Sequence, residues 1–117
     1  MALAQVGGTT YSALGANETK IQALGAGSYL AFNFSCFNPD ASATTYVQFF
    51  DALIADVNLG TTAPKFVLAL PPKGGVDGGF NLPRAFHTAI AYAVTATAGG
   101  SGAPASAAIV QFDYVSG

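Results

Sequence analysis

Apolar positions alternate with polar or small ones along much of the chain, and a period of two is the signature of a strand with one face buried. The alternation is cleanest from Ser28 to Phe37. There Leu30, Phe32, Phe34 and Cys36 fall on one face, and Tyr29, Ala31, Asn33, Ser35 and Phe37 on the other. The large even-numbered side chains make that face the expected core. A shorter alternation from Glu18 to Leu24 is closed by a turn at Gly25 to Gly27. Asn38-Pro39-Asp40 ends the long strand, because proline lacks a ladder donor and Asn and Asp satisfy turn amides with their own side chains. Thr44 to Phe50 follows as a strand, with Tyr46, Gln48 and Phe50 opposed to Val47 and Phe49. Bulk on both faces predicts contact with the core and with something beyond it.

Further along, Asp51 to Asn58 could make one helical turn through Ala52, Leu53, Ala55 and Asp56, but so short a helix is marginal without packing. The expectation is a bulged strand end running into a loop. Leu59 to Pro64 reads as a turn and Lys65 to Leu70 as a strand stopped by Pro71-Pro72. Lys73 to Gly79, with four glycines, reads as a loop. Phe80 to Leu82 and Arg84 to Phe86 read as short edge pieces split by Pro83. His87 to Thr97 alternates again, with Ile90, Tyr92 and Val94 on one side and alanines, Ala91 and Ala93 among them, between. An alanine-lined face lets another sheet or subunit come close. After Gly99 to Gly102, the last strand, Ala107 to Val115, sets Val110, Phe112 and Tyr114 against Ile109, Gln111, Asp113 and Val115.

Met1 to Asn17 has no clear period and reads as an extended arm, with Leu3, Val6, Tyr11 and Leu14 available to order it against a neighbour. The expected organisation is therefore an N-terminal arm, 1–17, and one all-β domain, 18–117. Seven or eight strands with short turns and no crossover helix predict an antiparallel β-sandwich, jelly-roll or Ig-like.

Composition sharpens this picture. At 117 residues the chain suits one core, and it is 51% hydrophobic but only 9% charged, against about 25% charged in ordinary soluble domains. A foldable chain with so few charges has to cover its surface with Thr, Ser, Asn, Gln and small apolar groups, or bury it against partners. Four Lys and Arg scattered among six Asp and Glu give a net charge of −2. No basic stripe exists to neutralise phosphates, so no nucleic-acid partner is expected. Cys36 is the only cysteine, which rules out an intrachain disulfide and fits a small buried side chain in a reducing compartment. The first residues lack the pattern of a secretory leader, and no apolar run reaches membrane-spanning length, so no membrane is expected.

Candidate chemistry is sparse. His87 is the only histidine and forms no ligand spacing with Cys36. Asp51 and Asp56 read as turn-capping groups, not as a general acid and base. Asp77 lacks the ordered oxygen ligands of a calcium loop. Gly74-Gly75, Gly78-Gly79 and Gly99 to Gly102 are not followed by a helix that would hold a phosphate. No catalytic residue, metal or cofactor is expected, and the reading is non-enzymatic. The aromatic inventory, nine Phe and five Tyr without Trp, exceeds what a small core hides. Tyrosines such as Tyr29, Tyr46 and Tyr92 could face a subunit or a glycan.

The segment Phe37 to Phe50, FNPDASATTYVQFF, resembles a recurring stretch of small virion structural proteins of tailed bacteriophages: an asparagine-containing turn, small residues, then Tyr46-Val47 and a phenylalanine leading into Asp51-Ala52. The likeness continues through Leu59 to Pro64, the strand Val67 to Pro71, Phe80-Asn81-Leu82-Pro83, the alanine- and threonine-rich strand ending near Thr97, and Val110 to Tyr114. It covers about 85 to 90 residues, from Ser28 to Val115. The resemblance implies a capsid decoration, head-fibre or tail-associated protein built on a β-sandwich, located in the virion after synthesis in the host cytoplasm. Its implied partners are the major capsid protein or other virion proteins and further copies of itself, a trimer being favoured. The alternative is a tail- or fibre-associated module that recognises a host-surface glycan. With only the short arm before Glu18, a compact cap is expected over a fibre shaft. The candidate assembly contacts are Leu3, Val6, Tyr11, Leu14, Phe37, Val47, Phe49, Ala91 and Ala93.

Overall fold

A computed structural model describes residues 9–17, 20–77 and 83–116. Among them the chain forms nine strands: β1 (Thr9–Ala16), β2 (Ile21–Leu24), β3 (Tyr29–Asn38), β4 (Thr45–Phe50), β5 (Phe66–Leu70), β6 (Gly74–Asp77), β7 (Arg84–Phe86), β8 (Ile90–Thr95) and β9 (Ala108–Ser116). They make two antiparallel sheets. The first runs β1-β9-β3-β6, with β7 also pairing β3; the second runs β2-β8-β4-β5. The all-β class expected from the alternation is what the chain adopts.

Two strands come from segments that read otherwise. About half of the stretch read as an arm is β1, an edge strand hydrogen-bonded along β9 of the same chain. The glycine-rich segment read as a loop contains β6, paired with the second half of β3. Glycine is required there for a packing reason: a Cβ on Gly75 would run into the Cys36 carbonyl oxygen. Between β5 and β6 a turn with Lys73 at φ 54° carries the chain from one sheet to the other.

The longest strand corrects the reading of its own faces. Asn33 has φ 53°, in the left-handed region that Asn tolerates better than most residues. The register slips there: Phe32 pairs Asp113 and Ser35 pairs Gln111, so β3 fits three steps into two of β9. An extra residue reverses the parity of everything beyond it. Before the bulge Tyr29 and Ala31 point inward, and after it Phe34, Cys36 and Asn38 do. Phe34 and Cys36 are core as expected, whereas Leu30 is exposed and Phe32 only half-buried.

Inward side chains of both sheets meet in one aromatic core. Phe34 packs edge-on to Phe49 (5.1 Å between centroids) and stacks on Phe112 (5.4 Å). Phe66 stacks on Phe49 at 4.9 Å and closes one side, its own outer flank covered by the Arg84 guanidinium at 4.9 Å. Ile90, Tyr92 and Val94 of β8 and Val110 and Phe112 of β9 are buried in the same cluster, as their spacing predicts. Phe34 contacts aromatic rings from both sheets, so its loss opens a cavity that neither sheet can close. Phe34→Ala is expected to lower the unfolding free energy by about 3–5 kcal/mol, and Phe32→Ala by less than about half of that. Urea denaturation of both variants measures it; equal losses would contradict the bulged register.

Candidate assembly surfaces

A domain that acts through contact is defined by which faces it leaves open. The outward face of the second sheet is covered over β8 and most of β4 by the chain's own loops, while Ala69 of β5 stays exposed. Phe50, Ala91 and Ala93 point away from the aromatic core and form a second buried cluster with Val57, against which Ala52 and Leu59 pack. The bulk on both faces of β4 is thus met by residues 51–59, which include a single 3-10 turn, Ile54–Asp56. Alanine at 91 and 93 leaves room for this loop to lie on the sheet.

Polar side chains fasten the loop. Gln22 of β2 donates from Nε2 to the carbonyls of Leu24 (3.0 Å) and Ile90 (3.1 Å), and its Oε1 accepts from the Ile54 amide at 2.8 Å. Lys20 donates to the carbonyls of Ile54 (3.1 Å) and Val57 (2.5 Å). Asp51 accepts from the amides of His87 (3.0 Å), Thr88 (2.7 Å) and Ala89 (3.4 Å), tying the loop to the entrance of β8. Burial alone would raise the Asp51 pKa, but these three N–H bonds and the nearby Lys65 charge together hold it below the usual carboxylate value. On the same face, the buried Gln48 donates to Thr95 Oγ1 (2.9 Å) and to the Gly100 carbonyl (3.0 Å), fixing the loop after β8.

A second polar knot sits at the end of β3. Buried Asn38 donates to the carbonyls of Ala43 (2.8 Å) and Leu70 (3.1 Å) and accepts from the Asp40 amide (3.0 Å). Asp40 accepts from the Ala43 amide (2.7 Å), Ser106 Oγ (2.7 Å) and the Ser42 amide (3.0 Å), which lowers its pKa from 3.8 to about 2. The sequence reading of Asn38-Pro39-Asp40 as a stop accounts for the turn but not for its long-range bonds to β5 and to residue 106.

The outward face of the first sheet is different. Residues paired directly across an antiparallel ladder share a face, so the register reads it out. Leu30 lies beside Val115 and Ala85, Ser35 beside Gln111, and Phe37 beside Ile109 and Gly75. Leu14 falls in a second irregularity of β1, between Ala13 opposite Val110 and Ala16 opposite Ala108, and is 75% exposed. Phe37 is 39% and Leu30 36% exposed. Across the middle runs a polar belt, where Gln111 donates to Ser12 Oγ (3.0 Å) and Asp113 accepts from Thr10 Oγ1 (2.7 Å) and Asn33 Nδ2 (3.1 Å). A shallow recess of about 300 Å³ follows the β3–β6 pair, lined by residues 35–37 and 74–76.

The residues expected to make assembly contacts therefore divide. Leu14 and Phe37 lie on this open face. Val47 and Phe49 are fully buried between the sheets, and Ala91 and Ala93 under the 51–59 loop, so all four are covered within the chain itself. Tyr11 is half-buried, stacked on Phe112 at 5.1 Å with its hydroxyl 2.6 Å from that of Tyr92. Leu3 and Val6 lie outside the described residues. The signal that separates these groups is the bulge in β3 together with the loop after β4, and alternation alone conveys neither.

Other candidates resolve into structural roles. Tyr92 is fully buried, which removes it from any glycan platform, and burial followed by its bond to Tyr11 raises its pKa. The Tyr29 hydroxyl donates to the Gly25 carbonyl at 2.9 Å. Burial pushes the Cys36 thiol up to about 11 against a smaller opposing effect of the Gln111 backbone, leaving it protonated at neutral pH. Among the described residues no group of three or more His, Cys, Asp and Glu side chains could hold a metal ion. No family model, curated protein or solved structure matches the chain.

The Asp40 knot carries a pH signature. Its folded pKa lies below the unfolded one, so its stabilisation is present above about pH 4 and is lost as pH falls toward 2. Asp40→Asn is expected to lower Tm at neutral pH and to flatten the decline of Tm between pH 4 and 2. Thermal unfolding followed by circular dichroism across that range checks it.

Proposed function

We propose that this chain is a virion structural protein, an oligomeric capsid decoration protein that binds the major capsid protein or another virion protein and stabilises the head. Two things support the reading, the resemblance to small phage structural proteins and the open face, and the strand order is compatible with it. The order nests four antiparallel pairings, β1 with β9, β2 with β8, β3 with β6 and β7, and β4 with β5. We read this as a jelly roll whose sixth strand is divided into β6 and β7. Jelly rolls serve in viral capsids and also in lectins and cupins, so the fold leaves the function to the surface.

The observation that carries the proposal is the contrast between the two outward faces. One is largely covered by loops fastened by Gln22, Lys20, Asp51 and Gln48, with Leu53 and Ile54 of that cover each 36% exposed. The other leaves Leu14, Phe37 and Leu30 in solvent on a chain with 9% charge. A protein of this kind works through buried area and shape, with no reacting group. The glycan-binding alternative has less support, because Tyr92 belongs to the core and the Tyr29 hydroxyl is already bonded, which leaves half-buried Tyr46 of the three.

Multi-angle light scattering of the purified chain, paired with a binding assay on capsids lacking it, tests the proposal. An oligomer that saturates sites on the capsid is expected. A stable monomer with no affinity for capsids would overturn it.

A further inference from the structure

We propose that the outward face of the first sheet is a two-fold interface between copies of this chain, formed with the symmetry axis lying along the strands between β3 and β9. This goes beyond the decoration reading and does not depend on it. Such an axis fixes which residue of one copy meets which residue of the other. Turning a second sheet over about that line places each outward side chain of β3 against the outward residue that pairs it on β9. Phe37 of one copy then meets Ile109 of the other, Leu30 meets Val115, and Ser35 meets Gln111, each contact occurring twice. Apolar rows face apolar rows at both ends, and in the middle Ser35 meets Gln111 while Asp113 meets Phe32.

The outer strands complete the match. Beside Ile109, in the irregular stretch of β1 between Ala13 and Ala16, lies Leu14, the most exposed large apolar side chain among the described residues, and beside Phe37 β6 contributes Gly75, which has no side chain. Leu14 and Gly75 flank the pair of Ile109 and Phe37 on opposite sides, so the same axis places the projecting Leu14 of each copy over the bare backbone at Gly75 of the other. A partner of unrelated shape would have no reason to match a projection and a gap disposed symmetrically about one line; a second copy does. Asp113 does not oppose the pairing, since its carboxylate is already held by Thr10 and Asn33. It would face Phe32 of the other copy, not a second carboxylate.

The size is sufficient for a modest dimer. Four strands about 4.8 Å apart and roughly eight residues long cover on the order of 500 Å² in projection. Side-chain relief brings the total buried by two copies to about 1,000–1,200 Å², at the lower edge of stable interfaces. A dimer with a dissociation constant in the micromolar range is therefore expected. Because the contact is isologous it closes on itself, and a threefold contact would use other parts of the surface.

Sedimentation velocity from about 1 to about 100 μM tests this on the full chain, with circular dichroism confirming that each variant is folded. Wild type is expected to show a monomer–dimer equilibrium, or an even-numbered assembly if a second contact exists. Leu14→Lys, at a solvent-exposed position, should weaken the pairing by about tenfold or more. A charge-exchange pair fixes the register: Ile109→Lys and Phe37→Glu should each lose the dimer alone, and an equimolar mixture should regain it as a heterodimer. In that heterodimer the introduced lysine of one chain faces the introduced glutamate of the other, and the native Phe37 and Ile109 meet on the opposite side. Three results would overturn the proposal: a wild-type monomer at about 100 μM, an oligomer untouched by these substitutions, or no recovery on mixing. The second would leave the decoration reading standing, since a trimer built on another surface satisfies it.

Discussion

With φ at 53°, Asn33 inserts one residue into β3 between Phe32 and Ser35, and that insertion assigns every side chain of the strand to a face. Were β3 regular, placing Phe34 inward would drive Phe32 and Leu30 into the core and turn Ala31 and Tyr29 out. The bulge lets the strand give Phe34 and Cys36 to the core at one end and Ala31 and Tyr29 at the other. It thereby leaves Leu30 and Phe37 on the outer side of the same sheet. The Asn33 side chain helps hold the irregularity by donating to Asp113 across the ladder. Bulges bend a strand and increase its local twist, so the same residue also shapes the face on which assembly is proposed.

From that assignment the two outward faces acquire opposite characters. The second sheet turns Phe50, Gln48, Ala91 and Ala93 outward, and the chain covers them with its own loops through side-chain bonds to backbone groups. The first sheet turns out Leu14, Phe37, Ile109 and Leu30 around a belt of Ser12, Gln111 and Asp113. Apolar groups left in water are ordinary when single; here they lie in rows set by strand register, which makes them addressable as a surface.

Much of this is legible in the sequence, and the failures have identifiable causes. Alternation locates β3, β4, β5, β8 and β9 and the inward rows Ile90, Tyr92, Val94 and Val110, Phe112, because a buried face imposes its period wherever the strand is regular. It misplaces Leu30 and Phe32, since one left-handed residue reverses parity without leaving a compositional trace. β6 is hidden by its glycines, whose cause is the close approach of the Cys36 carbonyl, a long-range contact. Val47 and Phe49 read as outer contacts because both faces of β4 are bulky, and only the tertiary path of residues 51–59 shows which face is core and which is covered. Of the candidate surface, Leu14 and Phe37 are legible. Their neighbours Ile109 and Gly75 become part of it only through cross-strand register.

The two-fold contact proposed for this chain turns on which face is covered when it assembles. Hydroxyl-radical footprinting, read by mass spectrometry on dilute chain and on the assembled form, reports the solvent exposure of individual side chains. Leu14, Phe37 and Leu30 are expected to lose reactivity on assembly while Leu53 and Ile54, the exposed apolar residues of the loop over the second sheet, keep theirs. Protection of Leu53 and Ile54 with Leu14 and Phe37 unchanged would contradict it.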